Sequence, residues 1–194
     1  VRRLITFHRI TDFRSLGLVY ENTPTGMVYS NVEDFRRVAD DLGVNLVERH
    51  LAESRMTRTQ AAESLAVIYR EMAPEIDALV FTAMDCEQPK YFHIYMPVLL
   101  EEGILTLGQL GDPQVKRGAL LGIAESDFRP VGLFYGETMV RILAGESPGE
   151  ISQVFQDPLS LSINLETAER IGFEFPESII GAADSVYQTI EGTQ

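Results

Sequence analysis

The sequence predicts an α/β domain in which a parallel sheet is flanked by helices. Two observations carry that reading. Short apolar runs recur between Leu16 and Leu110, and each is followed by residues with a helical period, as in consecutive βαβ units. The connections between them are short, which favours right-handed crossovers and one parallel sheet.

The elements follow in order. Val1–Ile10 is apolar at Val1, Leu4, Ile5, Phe7 and Ile10, and reads as a helix ending near Thr11-Asp12. Leu16–Tyr20 is a buried strand. A polar turn, Glu21-Asn22-Thr23-Pro24-Thr25-Gly26, leads into a helix over about Met27–Leu42, with Val32, Phe35, Val38, Ala39 and Leu42 on one face and Gly43 as its stop. Val44–Leu51 alternates as a second strand. Thr57 and Gln60 have capping-box spacing, and the helix they open turns Ala61, Leu65, Ile68, Tyr69 and Met72 inward. Ile76–Met84 is the most apolar run, which suits a central parallel strand. Asp85–Pro89 is the next turn, and Tyr91–Glu102 a helix that Pro97 kinks or divides. Gly103 ends it before a strand at Ile104–Leu110.

After Gly111 the rhythm changes. Asp112-Pro113 reads as a turn, Ala119–Ala124 as a strand, Phe128–Ala144 as a helix with a broad apolar face, and Gly145–Gly149 as a loop. Ser152–Phe155 and Leu159–Ile163 read as short strands. Asn164 caps a helix over Leu165–Ile171 that Gly172 ends, and Pro176 opens a last helix over Glu177–Ile190.

Composition excludes several function classes. The 194 residues are 45% hydrophobic and 23% charged, ordinary for a domain with a real core. The net charge of −13 argues against nucleic acid as a partner, because a polyanion needs a basic face. No apolar run is long enough to span a bilayer. Val1-Arg2-Arg3 begins with no signal peptide ahead of it, which leaves the compartment open because a signal can be removed. A single cysteine, Cys86, excludes an internal disulfide and a multi-cysteine metal site.

In open α/β sheets ligands bind outside the carboxyl ends of the strands, so the strand-end turns are the candidate site. The first turn lacks the glycine spacing of dinucleotide and phosphate-binding loops. It gathers Asn22, Thr23, Thr25, Tyr29 and Ser30, whose hydroxyl and amide groups, beside a helix N-terminus, suit a carboxylate. The alternative is ordinary turn and capping chemistry. Thr82 and Asp85 end the third strand; Asp85 can pair with a ligand ammonium or cap the next helix. Gln109, with Gly111, ends the fourth strand and has a similar claim, and Tyr20 offers an aromatic wall or a core ring. Cys86 and His93 lie seven residues apart with no third group to orient them, which is poor support for a nucleophile. His8, His50 and His93 have no metal-ligand spacing. No metal, cofactor or catalytic residue is expected.

The last third carries a resemblance. Gly118-Ala119-Leu120-Leu121-Gly122 leads into Gly132-Leu133-Phe134-Tyr135-Gly136, then Ile142-Leu143-Ala144-Gly145-Glu146-Ser147-Pro148, then Ser162-Ile163-Asn164-Leu165-Glu166-Thr167-Ala168-Glu169-Arg170-Ile171-Gly172-Phe173 with Pro176. In this order the segments resemble the substrate-binding proteins of a bacterial ABC-transporter family, whose members end in a strand, an Asn-Leu-x-Thr-Ala run and a proline-initiated helix. The front elements fit the same pattern, so the resemblance covers nearly the whole chain.

The resemblance implies a type I periplasmic-binding-protein fold, in which two Rossmann-like lobes close on a small solute, an amino acid in some members. It implies an ABC permease as partner and a periplasmic or other extracytoplasmic location, with a lipid or membrane tether compatible. The family has a complete first lobe before the equivalent of Val1. Residues 1–194 are therefore expected to be the second lobe, with 1–127 and 147–194 its core and 128–146 a crossover helix that belongs to the other lobe. The apolar face of Phe128–Ala144 is then expected to be covered by a second copy, giving a homodimer, or by rearrangement. A sensory input domain of a membrane signalling protein is the alternative with the same fold. A flavodoxin-like or hydrolase enzyme would need a cofactor or nucleophile that the residues do not supply.

Overall fold

A computed structural model describes residues 2–125, 128–152, 154 and 159–192. The chain opens with α1 (Arg2–Thr11), β1 (Ser15–Tyr20), α2 (Pro24–Tyr29), α3 (Val32–Leu42), β2 (Asn45–His50), α4 (Arg58–Met72) and β3 (Ala78–Val80). It continues with α5 (Phe92–Glu101), β4 (Leu105–Gly108), α6 (Asp112–Val115), β5 (Leu121–Glu125) and α7 (Phe128–Leu143). It closes with β6 (Leu159–Asn164), α8 (Leu165–Ile171), α9 (Glu177–Ala182) and β7 (Ser185–Tyr187). Among the described residues seven strands form one sheet in the order β2-β1-β3-β4-β5-β6-β7. Neighbours are parallel except β5 and β6, so the sheet is mixed at its far edge rather than wholly parallel.

The two-residue period of a strand sorts its side chains onto two faces. In β1, Leu16, Leu18 and Tyr20 join the core beneath α1 and α3, where Leu4, Phe7, Phe35 and Val38 are buried. Val19 points to the opposite core, with Leu65, Tyr69 and Met72 of α4 and Tyr95 and Leu99 of α5. Every residue of β3 is fully buried, as expected of the central strand, though its paired part is only three residues long.

Several boundaries differ from expectation for identifiable reasons. The single helix expected over Met27–Leu42 is two. Thr23 caps α2, whose first turn accepts Pro24, and Asn31 takes a left-handed conformation (φ 52°) between α2 and α3. Asparagine tolerates that region better than most residues, and the chain redirects there. Asp112-Pro113 starts the short helix α6 after Gly111 (φ 68°) instead of a turn. Helix α5 runs unbroken through Pro97. The last helix stops at Ala182 because Asp184 clips the chain to the sheet: its carboxylate accepts from the Leu161 N–H at 2.8 Å and its own N–H donates to the Leu161 carbonyl at 2.8 Å. Ser185–Tyr187 then pairs with Ser162–Asn164. The expected strand at Ser152–Phe155 falls partly on Gln153 and Phe155, outside the described residues.

Other expectations hold residue for residue. Thr57 and Gln60 form both bonds of the capping box. Asn164 accepts the Thr167 N–H at 2.9 Å as the cap of α8, and Gly172 closes that helix at φ 70°.

Candidate functional site

Strands β1 to β5 run the same way, so the turns after β1, β2, β3 and β4 gather at one edge of the sheet. The turn after β1 is built tightly. The Thr23 hydroxyl accepts the Gly26 N–H at 3.0 Å, and a Cβ on Gly26 would stand 2.2 Å from the Glu21 carbonyl oxygen, so only glycine fits. Of the five candidate residues here, Thr23 is a helix cap and Ser30 is turned inward, 2% exposed. Asn22, Thr25 and Tyr29 face outward; a cavity of about 470 Å³ lies between α2 and α3, lined by Met27, Val28, Asn31, Glu33 and Asp34 among others, and none of the five candidates lines it. Tyr20 is not a wall of this edge. It is buried, with its hydroxyl donating to Glu48 at 2.6 Å and lying 3.1 Å from His50 Nε2. Burial and the Glu48 carboxylate push the Tyr20 phenol up to about 12.

A buried polar cluster lies after β3. Glu87 is 1% exposed. Its carboxyl takes hydrogen bonds from the Tyr69 hydroxyl of α4 and the Thr82 N–H, and lies 2.8 Å from the Thr82 hydroxyl. The Thr82 hydroxyl is also 2.9 Å from the Val19 carbonyl of β1. Burial pushes the Glu87 carboxyl up to about 7, against the opposing pull of Tyr69 and Thr82. Thr82 is therefore a buried link between β1 and Glu87, and its hydroxyl is engaged inside the protein.

Glu53, in a 3-10 turn after β2, reaches across and accepts the Asp85 N–H at 3.1 Å and the Cys86 N–H at 2.6 Å. Asp85 is half-buried at the edge. It pairs with Arg58 at the start of α4 and accepts from Gln88 at 3.3 Å. It does not cap α5, whose N-cap position is Tyr91 with no side-chain bond. After β4, the Gln109 side-chain amide donates to the Phe81 carbonyl at 2.6 Å, and the Gln109 carbonyl accepts from Arg3 at 3.4 Å. Gln114 of α6 ties this turn to the previous one: its oxygen accepts the Leu110 N–H at 2.8 Å and its amide donates to the Glu87 carbonyl at 3.3 Å.

The structure thus brings Thr82, Asp85 and Gln109 into one connected edge and sets the residues after β1 beside it. Glu87, Glu53, Tyr69 and Gln114 were not candidates from the sequence. Only the tertiary fold shows that the carboxylates of Glu53 and Glu87 reach inward.

Cys86 is fully buried, and burial together with Glu87 and Glu53 pushes its thiol up, away from the reactive thiolate. His93 is exposed on α5. Among the described residues no three His, Cys, Asp or Glu side chains group as metal ligands, and no helix is long and apolar enough to cross a membrane.

No family model matches the chain, and no match is found among curated proteins. Solved structures do match. A ligand-free, open substrate binding protein with adhesive properties from Clostridium difficile superposes with a TM-score of 0.71 at 19% identity, covering 97% of this chain and 58% of that one. An ABC domain in complex with L-Trp from Streptococcus pneumonia gives 0.66 at 19% identity, covering 95% and 59%. This chain has their fold. A conserved domain protein from Vibrio cholerae gives 0.66 at 22% identity, with the same coverage of 95% and 59%. The chain therefore spans less than two thirds of each of these three structures, while almost all of it is matched.

Leu133, Tyr135, Met139, Val140 and Leu143 of α7 are 58–84% exposed, so the helix presents apolar side chains to solvent.

Proposed function

We propose that the chain is one lobe of a two-lobed solute-binding protein of a bacterial ABC transporter, acting outside the cytoplasm and delivering to a membrane permease. The observation that carries this reading is the fold match over 95–97% of the chain to proteins of which it spans 58–59%. The exposed apolar side chains of α7 support it, because a second lobe seated on residues 128–146 would bury them.

The solute lies against the carboxyl edge of the sheet. Asn22, Thr25 and Tyr29 offer exposed polar and aromatic surface on one side. Asp85 and Gln109 offer a carboxylate and a side-chain amide on the other. Thr23, Ser30 and Thr82 shape the turns from within. A zwitterion such as an amino acid suits this set: its ammonium meets Asp85 in competition with Arg58, and its carboxylate faces the hydroxyls and amides after β1. Closure of a second lobe over the solute would supply the other wall.

The test is a titration of L-tryptophan and a panel of other L-amino acids into the isotope-labelled protein, followed by amide NMR and thermal shift. A ligand at ten times its Kd stabilises the fold by about 1.4 kcal/mol. That raises Tm by roughly 3–6 °C for a chain of this size. The expected result is a set of shifted amides centred on Asn22, Asp85 and Gln109. Perturbations confined to another face, or none for any solute at millimolar concentration, overturn the reading. Light scattering on the same sample reports whether a second copy covers α7.

A further inference from the structure

Glu87 occupies an unusual position for a carboxyl group. It is buried behind the candidate site, and among the described residues neither an ion pair nor a hydrogen bond joins it to a cation. A buried carboxylate without a cation is costly, so such a group prefers to keep its proton. The groups around it do not relieve that cost. Tyr69 faces it from α4, Tyr95 from α5 with a buried hydroxyl that lacks a partner, and Cys86 from its own turn. Thr82 reaches it from the end of β3, and Gln114 of α6 bonds its backbone carbonyl. Of the charged groups, Glu53 acts on it from the turn after β2, and its charge is negative.

Counting protons leads to the same state. The Thr82 hydroxyl carries one proton but lies 2.9 Å from the Val19 carbonyl and 2.8 Å from Glu87 Oε2. If Glu87 is ionised, both neighbours are acceptors, and one of the two oxygen pairs has no proton between them. If Oε2 carries a proton, it donates to the Thr82 hydroxyl, which donates in turn to Val19. Oε2 still accepts the Thr82 N–H and Oε1 still accepts from Tyr69. Each hydrogen bond joining Glu87, Tyr69, Thr82 and Val19 then has its own proton.

We infer that Glu87 is a proton-binding site that controls the edge: protonated, it holds Thr82 and the 82–91 segment as described, and ionised, it releases them. The link to solute rests on the proposed function; the proton site does not. Because burial sets the carboxyl at about 7 in the fold, against 4.5 when exposed, both forms are within reach near neutral pH. Release of the segment becomes about tenfold easier per pH unit between those two values and levels off above them.

The experiment follows the glutamate side-chain carboxyl carbons by NMR in the whole protein, together with amide exchange at Thr82, Asp85 and Cys86 corrected for the intrinsic rate. The expected result is one glutamate with a midpoint near 7 that disappears in Glu87→Gln. Protection of the three amides falls with pH in the wild type and is level in Glu87→Gln. A Glu87 midpoint near 4.5, or the same pH dependence of protection in both proteins, overturns the inference. If Glu87→Gln does not fold, the wild-type midpoint alone decides. In a second arm, L-tryptophan binds more weakly at pH 8 than at pH 6, and equally at both in Glu87→Gln. If Glu87 titrates as stated and no solute binds at either pH, the proton site stands and the solute reading falls.

Discussion

Replacing Glu53 by alanine tests whether the turn after β2 truly seats the turn after β3. The Glu53 carboxylate accepts two backbone N–H groups, from Asp85 at 3.1 Å and from Cys86 at 2.6 Å. Hydrogen bonds to a charged acceptor each contribute roughly 1.5–3 kcal/mol. Glu53 is half-buried, so water replaces part of what Glu53→Ala removes, and about 2 kcal/mol of lost stability is expected. For a chain of this length that corresponds to a fall in Tm of roughly 4–8 °C. Glu53→Gln keeps one acceptor oxygen and presents a donor to the other amide, so it recovers only part of the loss. Urea unfolding with an unchanged m-value measures it, and the carboxyl NMR titration supplies an independent readout. The negative charge of Glu53 helps to hold the Glu87 carboxyl up, so Glu53→Ala lowers the Glu87 midpoint below about 7. A destabilisation under about 0.5 kcal/mol, the range of an ordinary surface substitution, together with an unmoved Glu87 midpoint, would refute the bridging role.

Glu87 also sets a sign for stability against pH. Its carboxyl is raised from 4.5 to about 7 in the fold, so the folded state binds more protons than the unfolded chain in that interval. The contribution is fully present below about 4.5 and is lost as pH climbs to about 7, at about 1.4 kcal/mol per pH unit, or roughly 3 kcal/mol in all. Denaturant midpoints between those values should show this slope in the wild type and lose it in Glu87→Gln. Gly26→Ala places a Cβ 2.2 Å from the Glu21 backbone oxygen, and the turn must shift to admit it. A cost of about 1–3 kcal/mol is expected, with amide shifts confined to residues 21–30; a neutral effect would mean that the turn is looser than described.

Much of the fold was legible because its signals are local. The Thr57–Gln60 capping box and the Asn164 cap with Gly172 rest on a few adjacent residues whose geometry decides the outcome. The central apolar strand was equally plain, since a strand buried on both faces carries no polar alternation. The misses are tertiary. Nothing in Glu177–Ile190 distinguishes a long helix from a short one followed by a strand, until Asp184 meets Leu161 across the sheet. The break at Asn31 depends on a left-handed residue that asparagine allows without requiring. At the candidate site, the sequence drew attention to hydroxyl and amide residues around Asn22–Ser30, which form a self-contained capped turn with an exposed outer surface. It passed over Glu87, because burial of a carboxyl depends on Tyr69, Thr82 and Val19, which lie up to 68 positions away in sequence (Val19 to Glu87).

That contrast bears on where the site is centred. Replacing a buried polar group by a well-packed apolar one is often neutral or stabilising, so the Glu87 cluster is a poor device for stability alone. What it does supply is specification. The Glu87 carboxyl fixes the end of β3 against β1 through Thr82 and against α4 through Tyr69, and the Glu87 backbone carbonyl, held by the Gln114 amide, ties it to the turn after β4. Glu53 adds the turn after β2. Four strand ends are thereby set relative to one another by directional bonds, where apolar packing would leave them free to slide. A recognition edge needs that kind of rigidity more than a core does, since misplacement of its polar groups by an ångström costs affinity directly. On the proposed reading the exposed residues after β1 would supply contact surface and the end of β3 the geometry, so perturbations there should move the whole edge.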